Sequence, residues 1–387
     1  MATNLTGMLK EFSTEKKCKE YLIKQRWNGV PTCPYCGSQK HYVIENGERF
    51  KCGNNECYKK YSVTVGSIFH ASNIPLTTWF AAIYILTAHK KGISSIQLAK
   101  DLGVTQKTAW FMNHRIRENL KDKNSSLLGN TVEIDEVYIG GKVGNMSKAK
   151  RKKLKEDGNT FNTKTMVMGM VERGGNLKLV PVAPANVLTM QKSIRNNVEA
   201  QANVITDSHA GYYNLVNEHR SHETVCHSQF EYVREGNIHT NSIVGAFSLL
   251  KRTIYGIYHH VSPKHLHRYC DETSFRYNNR KIKDADRFAY TLTKVDGHLF
   301  YKDLVNTPKP EKGTSLIGQN SEAKHPLAIG VHKAVYQLFD GEIIATYQSL
   351  TEASEMTGIR LKSISEALRG RVATAKGYQW KYANLAD

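Results

Sequence analysis

Two groups of residues have types and spacings suited to chemistry. The first is a cysteine quartet, in which Cys33 and Cys36 are separated by two residues and Cys52 and Cys57 by four. The segment between the pairs reads as two hairpin arms around an Asn46-Gly47 turn. Two short loops supplying two thiolates each are what a tetrahedral zinc ion needs, and zinc in so small a ribbon is structural. A redox Cys-x-x-Cys is the competing reading, but it leaves the second pair unexplained and no thioredoxin-like strand–helix pattern follows. The second group is Asp135, in "NTVEIDEVYIGGK", and Asp207, in "ANVITDSHAGYYNLV", each ending an apolar run of strand character. Two such carboxylates suit hard cations, magnesium or manganese, in two-metal phosphoryl transfer. A third oxygen ligand belongs in "NIHTNSIVGAFSLLKR", residues 237–252, yet this stretch holds no carboxylate.

The elements that must position these groups follow from pattern. Residues 13–26 predict a short helix behind a Ser13 or Thr14 cap. Residues 76–121 predict three helices, the first ended by Gly92, the second capped by Ser94, and the third entered through Gly103 and capped by Thr105. Ala99, Gly103 and Val104 stand where a helix-turn-helix needs small or apolar residues. Gln106, Lys107, Asn113, His114, Arg115 and Arg117 then lie on or near a recognition helix, with Gln106, Lys107, Asn113 and Arg115 the expected DNA contacts. From 131 to 300 strands and helices alternate. On the first strand Val132 and Ile134 face one side, and Glu133, Asp135 and Val137 the other. Three strands, a helix near 188–201, a strand ending in Asp207, a helix, the short strand "ETVCH" and a helix from about 240 to 253 give the order of an RNase H-like core. In that core the first and fourth strands lie side by side, which brings Asp135 and Asp207 together. The fold class expected is therefore multidomain α/β: an RNase H-like mixed sheet with flanking helices, preceded by a zinc ribbon and a helix-turn-helix and followed by a small α+β module.

Composition limits the partners. Lys and Arg number 54 against 35 Asp and Glu in 387 residues, a net charge of +19. That excess suits a polyanion, most simply double-stranded DNA. "KAKRKKLK" (148–155) is a dense basic run in the loop expected after the first strand, with Lys150, Arg151, Lys152 and Lys153 placed to grip a DNA backbone. The sequence holds no apolar run long enough to span a membrane and no signal-peptide core at its N-terminus, so a cytoplasmic, nucleoid-associated location is expected. Residues 303–328 have linker composition.

Several stretches, "YSVTVGSIF", "KKGISSIQLAKDLGVTQKTAWFMNHRIR", "VEIDEVYIGGK", "VITDSHAGY" and "HTNSIVGAFSLLKRTIYGIYHHVSPKHLHRYCDETSFRYNNRK", resemble the ISXO-type insertion-sequence transposases of bacteria. The resemblance runs from about residue 10 to about residue 285. It implies a zinc ribbon and a helix-turn-helix that bind terminal inverted repeats, and an RNase H-like domain that cleaves and transfers DNA strands with magnesium or manganese. In that family the third acidic position is often Asn, with Lys ten residues on; Asn241 and Lys251 fall on those places. Asn241 would be a neutral oxygen ligand beside the two aspartates, and Lys251 and Arg252 would reach DNA phosphates. His239 is placed to orient the site, and His259, His260, His265 and His267 to touch phosphate. The family also commonly carries Glu three residues after the Asn, where this chain has Val244. A copy decayed to a DNA-binding regulator of its element, or a site-specific nuclease, are the alternatives. Pairing of two DNA ends implies a homo-oligomer.

The C-terminal stretch predicts a strand, an Asp340-Gly341 turn, a strand, two helices and a last aromatic strand near Trp380. It looks like the nuclease-associated modular DNA-binding domain found on homing endonuclease tails, which would set Ser363, Ser365, Arg369 and Arg371 against DNA. An oligomerisation tail is the other reading. The division expected is thus 1–70 for the N-terminal helix and ribbon, 71–125 for the helix-turn-helix, 128–300 for the catalytic domain, 303–328 for the linker and 329–383 for the module.

Overall fold

The computed structural model describes residues 4–122, 126–141, 143–156, 164–226, 231, 233–305, 335–339, 342–347, 350–368 and 372–382. Two compact units emerge, residues 1–318 and 319–387.

The first unit begins with α1 (Leu5–Glu11) and α2 (Glu15–Trp27). The Thr14 side chain accepts from Lys17 N–H and caps α2. The cysteine ribbon follows as a three-stranded antiparallel sheet, β1 (His41–Ile44), β2 (Arg49–Cys52) and β3 (Lys60–Tyr61). Next come α3 (Leu76–Ala88), α4 (Ser95–Leu102) and α5 (Gln106–Leu120). Ser94 and Thr105 cap α4 and α5 through their side-chain oxygens, and Gly103 adopts φ 66° in the tight turn between them. These local signals act as read from sequence. The first helix stops at Ala88, short of Gly92. Helices α1 to α5 share one apolar core, joined by Phe275, Phe288 and Leu292 from later helices.

The central sheet has five strands: β4 (Thr131–Ile139), β5 (Thr165–Glu172), β6 (Leu177–Val182), β7 (Asn203–Asp207) and β8 (Ser221–Val225), in the order β6-β5-β4-β7-β8. β4, β5 and β6 form an antiparallel meander, while β7 and β8 run parallel to β4. The first and fourth strands are therefore neighbours, and the sheet with its flanking helices has the arrangement of an RNase H-like core. The basic run after β4 is not a loop but a helix, α6 (Lys148–Glu156). Lys, Arg and Leu are good helix formers, and the run holds no Gly or Pro to break it.

Strand alternation sorts β4 between two layers. Val132 and Ile134 pack with Val204, with Met190 and Ile194 of α7 (Val187–Arg195), and with Tyr212 of the 3₁₀ segment Ala210–Asn217. Val137 and Ile139 pack on the other face with Ile243, Ala246, Phe247 and Leu250 of α8 (Asn241–Thr253), and with Leu266 and Cys270 of α9 (Leu266–Asn278). Glu133 and Asp135 share the parity of Val137 and so face α8. After α8 the chain makes a π-helical turn, Ile254–Tyr258. Helices α10 (Asp284–Thr293) and α11 (Tyr301–Val305) complete the unit.

In the second unit, β9 (Val335–Phe339) is flanked by β10 (Glu342–Tyr347) and β11 (Gln379–Tyr382), with α12 (Leu350–Thr357) and α13 (Leu361–Leu368). Val335, Ala353, Ile364, Ala367 and Trp380 form its core. The strand and helix order is the one read from sequence. The Asp340-Gly341 turn, Arg369, Arg371 and most of the expected linker lie outside the described residues.

Candidate catalytic site and zinc centre

Asp135 sits in the middle of β4, opposite Gly169 of β5. Its other neighbour, β7, is paired through Glu133↔Ile205. The pairing ends there; the same register carried two residues further would bring Asp135 level with Asp207, the last residue of β7, whose charge acts on Asp135. Val204 is in the layer with α7, so by alternation Ile205 and Asp207 face the α8 side, as Asp135 does.

The third partner is positioned by a residue that the sequence reading passed over. Glu133 is fully buried. One of its oxygens accepts from the Ser242 and Ile243 backbone N–H groups at 2.7 and 3.1 Å. The other accepts from Ser242 Oγ at 2.9 Å and from Arg173 Nε at 2.7 Å. A carboxylate at a helix N-terminus satisfies free N–H groups and complements the helix dipole. Arg173 continues the clamp, donating to the Asn237 carbonyl at 2.6 Å and the His239 carbonyl at 2.9 Å. His239 Nδ1 in turn accepts the Asn241 backbone N–H at 3.3 Å. Asn241, the first residue of α8, is thus fixed by its backbone, while its exposed side chain makes no hydrogen bond among the described residues. The signal for this clamp was available, since Glu133 shares Asp135's face; what was missing was its partner, 109 residues away.

Helix α8 runs alongside β4 in the same direction. Its first turn is held at Glu133, and beyond its end Tyr255 Oη lies 3.4 Å from the Gly140 carbonyl. A Cβ on Gly169 would stand 2.5 Å from Ile243 and 2.6 Å from Phe247, so only glycine opposite Asp135 lets the helix lie this close. Asn241, Val244, Ser248, Lys251 and Tyr255 form an exposed stripe on α8, at helical spacing. Val244 is 47% exposed and lies at the level of Asp135.

Burial and neighbouring negative charge weigh on the Asp135 carboxylate. The Asp135 carboxyl is pushed up to about 7, first by burial. A hydrogen bond from the Glu136 N–H opposes this, the charges of Glu136 and Asp207 add to it, and Lys251 lowers it. Glu136 itself points to the opposite layer, where Tyr212 Oη donates to it at 2.5 Å. Asp135 and Asp207 share the α8 side of the sheet, and Asn241 opens α8; two carboxylates and an amide oxygen are hard donors of the kind that magnesium or manganese takes. Among the described residues no third carboxylate completes the set; the cysteine quartet is the one group of three or more His, Cys, Asp or Glu side chains that converges.

In the ribbon, all four cysteine sulfurs lie within 4.8 Å of one another. Cys33 and Cys57 approach to 3.8 Å and Cys36 and Cys52 to 3.5 Å. A tetrahedral Zn–S₄ centre requires S···S separations of about 3.8 Å. For Cys52 a backbone hydrogen bond from Asn54 favours the thiolate, but burial and the neighbouring thiols outweigh it and push the group up to about 12. A central cation relieves that crowding and keeps all four deprotonated.

The expected DNA contacts separate. Gln106 and Lys107 are exposed at the start of α5, Gln106 bonded to Ser95 at 2.9 Å and Lys107 lying over Tyr301 at 4.9 Å. Asn113 and Arg115 are buried, which removes them from any DNA-facing surface. Arg115 donates to the carbonyls of Leu299 and Ile68 at 3.0 and 2.9 Å. Helix α5 is covered on both sides, by α3 and α4 and by α9, so polar residue type does not mark its outer face. Arg117 is likewise buried, paired with Glu272 at 2.6 Å. His265 is packed against Trp110 and His114, and burial pushes it down to about 4, so it carries no cationic charge for phosphate. His259, His260 and His267 are exposed, but burial, with the charge of Arg268, pushes His267 down to about 4, so it is neutral like His265. On α6, Lys152 and Lys153 are exposed and Arg151 half-buried; the side chain of Lys150 lies outside the described set. Lys251 and Arg252 are exposed on α8. Among the described residues no helix is long and apolar enough to cross a membrane.

The folded-state value of Asp135 lies above that of an unfolded aspartate, so its contribution to stability is present below about pH 4 and lost as pH rises through about 7. In magnesium-free, zinc-replete buffer, Asp135→Asn should melt above the wild type at pH 8, with the gap closing toward pH 4; thermal scans across that range check it. Elemental analysis should find one zinc per chain, and none after Cys33→Ser with Cys52→Ser.

Comparison with known proteins agrees with this reading. Residues 126–278 match the ISXO2-like transposase domain, and residues 13–60 match a transposase zinc-ribbon domain. A protein of Halobacterium salinarum described as "Uncharacterized protein in transposable element ISH50" is 26% identical over 256 residues, covering 63% of this chain and 84% of that relative. The sheet with Asp135 and Asp207, the buried clamp on α8 and the four-cysteine ribbon all fall within the matched segments: the chain carries the zinc ribbon and the ISXO2-like domain of insertion-sequence transposases.

Proposed function

We propose that the chain is a DNA transposase that cleaves the ends of its element and joins them to target DNA. The observation that carries this is the parallel pairing of β4 with β7, which sets Asp135 and Asp207 on one face beneath the anchored start of α8. Asp135, Asp207 and the Asn241 amide oxygen would hold magnesium or manganese. Two such ions would activate the attacking water or 3'-hydroxyl and neutralise the leaving oxygen in an in-line displacement. Asn241 contributes an oxygen without adding charge, so the two aspartates carry the negative field. The Glu133–Arg173 clamp keeps that amide in place without touching the reacting atoms. Lys251, on the same stripe of α8, offers its ammonium to the phosphate charge that builds up as the bond breaks.

The remaining cations would bind DNA. Gln106 and Lys107 at the exposed start of α5, together with the ribbon, suit recognition of terminal repeats. Arg151, Lys152 and Lys153 on α6, and Arg252 on α8, suit backbone contacts that position the duplex. The C-terminal unit is read as an added DNA-binding module, and synapsis of two ends as the work of a homo-oligomer in the cytoplasm. The decayed-regulator reading retains one specific observation, the exposed apolar Val244 at the level of Asp135.

A strand-cleavage and strand-transfer assay on duplexes carrying the flanking sequences of the element tests these readings together. Wild-type protein should cut and join with magnesium or manganese, Asp135→Ala should lose roughly 10⁴-fold in rate, and Val244→Glu should leave activity of similar size. Cleavage indifferent to Asp135 would overturn the proposal. Activity that appears only with Val244→Glu would establish decay, and cutting without joining would establish a nuclease.

A further inference from the structure

An open cavity of about 510 Å³ lies beside the C-terminal half of α8, lined by Lys91, Lys251, Arg252, Tyr255, Gly256 and Ile257. Three of the six are cations and none is a carboxylate. Lys91, Lys251 and Arg252 are all exposed, and none of their side chains has an ion-pair or hydrogen-bond partner among the described residues. Lys91 does not belong to the sheet domain; it stands in the turn between α3 and α4, some 160 positions before Lys251.

A rigid contact brings the two regions together. Gly92, at φ 89°, lies directly against Tyr258 of the π-helical turn, where a Cβ would stand 2.2 Å from the Tyr258 hydroxyl. That hydroxyl donates to Glu272 at 2.7 Å, and Arg117 pairs with the same carboxylate at 2.6 Å while lying 4.9 Å over the Tyr258 ring. Burial would raise Glu272, but Arg117 and Arg276 outweigh it and hold the carboxyl down at about 2, so the cluster stays charged and paired. The same turn supplies Tyr255, Gly256 and Ile257 to the cavity wall. Lys91 is therefore held in place against the end of the catalytic helix by its neighbour's packing. Three like charges facing one open space repel one another, and an anion spanning them relieves that cost.

We infer that this cavity seats a phosphodiester of bound DNA, with Lys91 as a contact from the turn before α4 that acts jointly with Lys251 and Arg252. The inference rests on the transposase reading, since it takes the ligand to be the DNA backbone next to the scissile bond. A seat shared by the helical region and the catalytic helix would fix the path of the strand between the part that recognises the end and the part that cuts it.

Equilibrium binding to duplex DNA without divalent metal, measured over a salt series, tests it. Lys91→Ala should weaken binding about tenfold at roughly 0.1 M salt and lower the slope of log K against log salt by about 0.9, as one fewer counterion is released. The loss should be the same for end-bearing and unrelated duplexes, and Lys91→Arg should restore both values. Lys192→Ala, an exposed position on α7 across the sheet from α8, is the charge-matched control and should change neither. An unchanged slope in Lys91→Ala, or an equal drop in Lys192→Ala, would overturn the inference while leaving the transposase reading intact. Wild-type protein that binds no duplex would overturn both.

Discussion

The fit between one buried carboxylate and the start of one helix governs the candidate site. Glu133 is sealed from solvent, so its charge is tolerable only because four donors converge on it: two backbone N–H groups, the Ser242 hydroxyl and the Arg173 guanidinium. This ties α8 to β4 at a single register. Asn241 follows from it at one end and Lys251 ten residues on, while Asp135 lies two residues along the strand from Glu133. Gly169 removes the side chain that would hold the helix away. The site is thus determined by a strand, a helix start and an absent Cβ, none of which contacts the substrate in the proposed chemistry.

Much of this was legible in the sequence, because the signals are local or periodic. Ser94, Gly103 and Thr105 cap and turn the helical region by interactions within three residues of themselves. The alternation in "VEIDEV" and the order of strands and helices were enough to bring Asp135 beside Asp207. The four cysteines announced their convergence by spacing. What escaped depends on partners far along the chain. Arg115 reads as an exposed recognition-helix cation, yet it serves carbonyls at Ile68 and Leu299. Arg117 reads the same way, yet it is neutralised by Glu272, 155 residues on. Glu133 reads as an unremarkable strand residue until α8 is set against it. The basic run at 148–155 reads as a loop by its charge, yet its helix-forming residues prevail.

Burial also redraws the division of the chain. Helices α3 to α5 are not a separate module perched on the central sheet domain, since their core includes Phe275, Phe288 and Leu292. Glu272 of α9 joins Arg117 of α5 to Tyr258 of the turn that ends α8. Under the proposed function, DNA held by the helical region would be held by a body that is continuous in packing with α8. The net charge of +19 in the whole sequence acts on that body as a long-range attraction for a polyanion.

The central claim is that Asp135, Asp207 and Asn241 share bound divalent metal. Anomalous scattering from crystals soaked in manganese tests it most directly. The account predicts manganese density with carboxylate oxygens of both aspartates, and the Asn241 amide oxygen directly or through one water, at roughly 2–2.5 Å coordination distances. Manganese bound by one aspartate alone, or found elsewhere while the two aspartates stay bare, would contradict it.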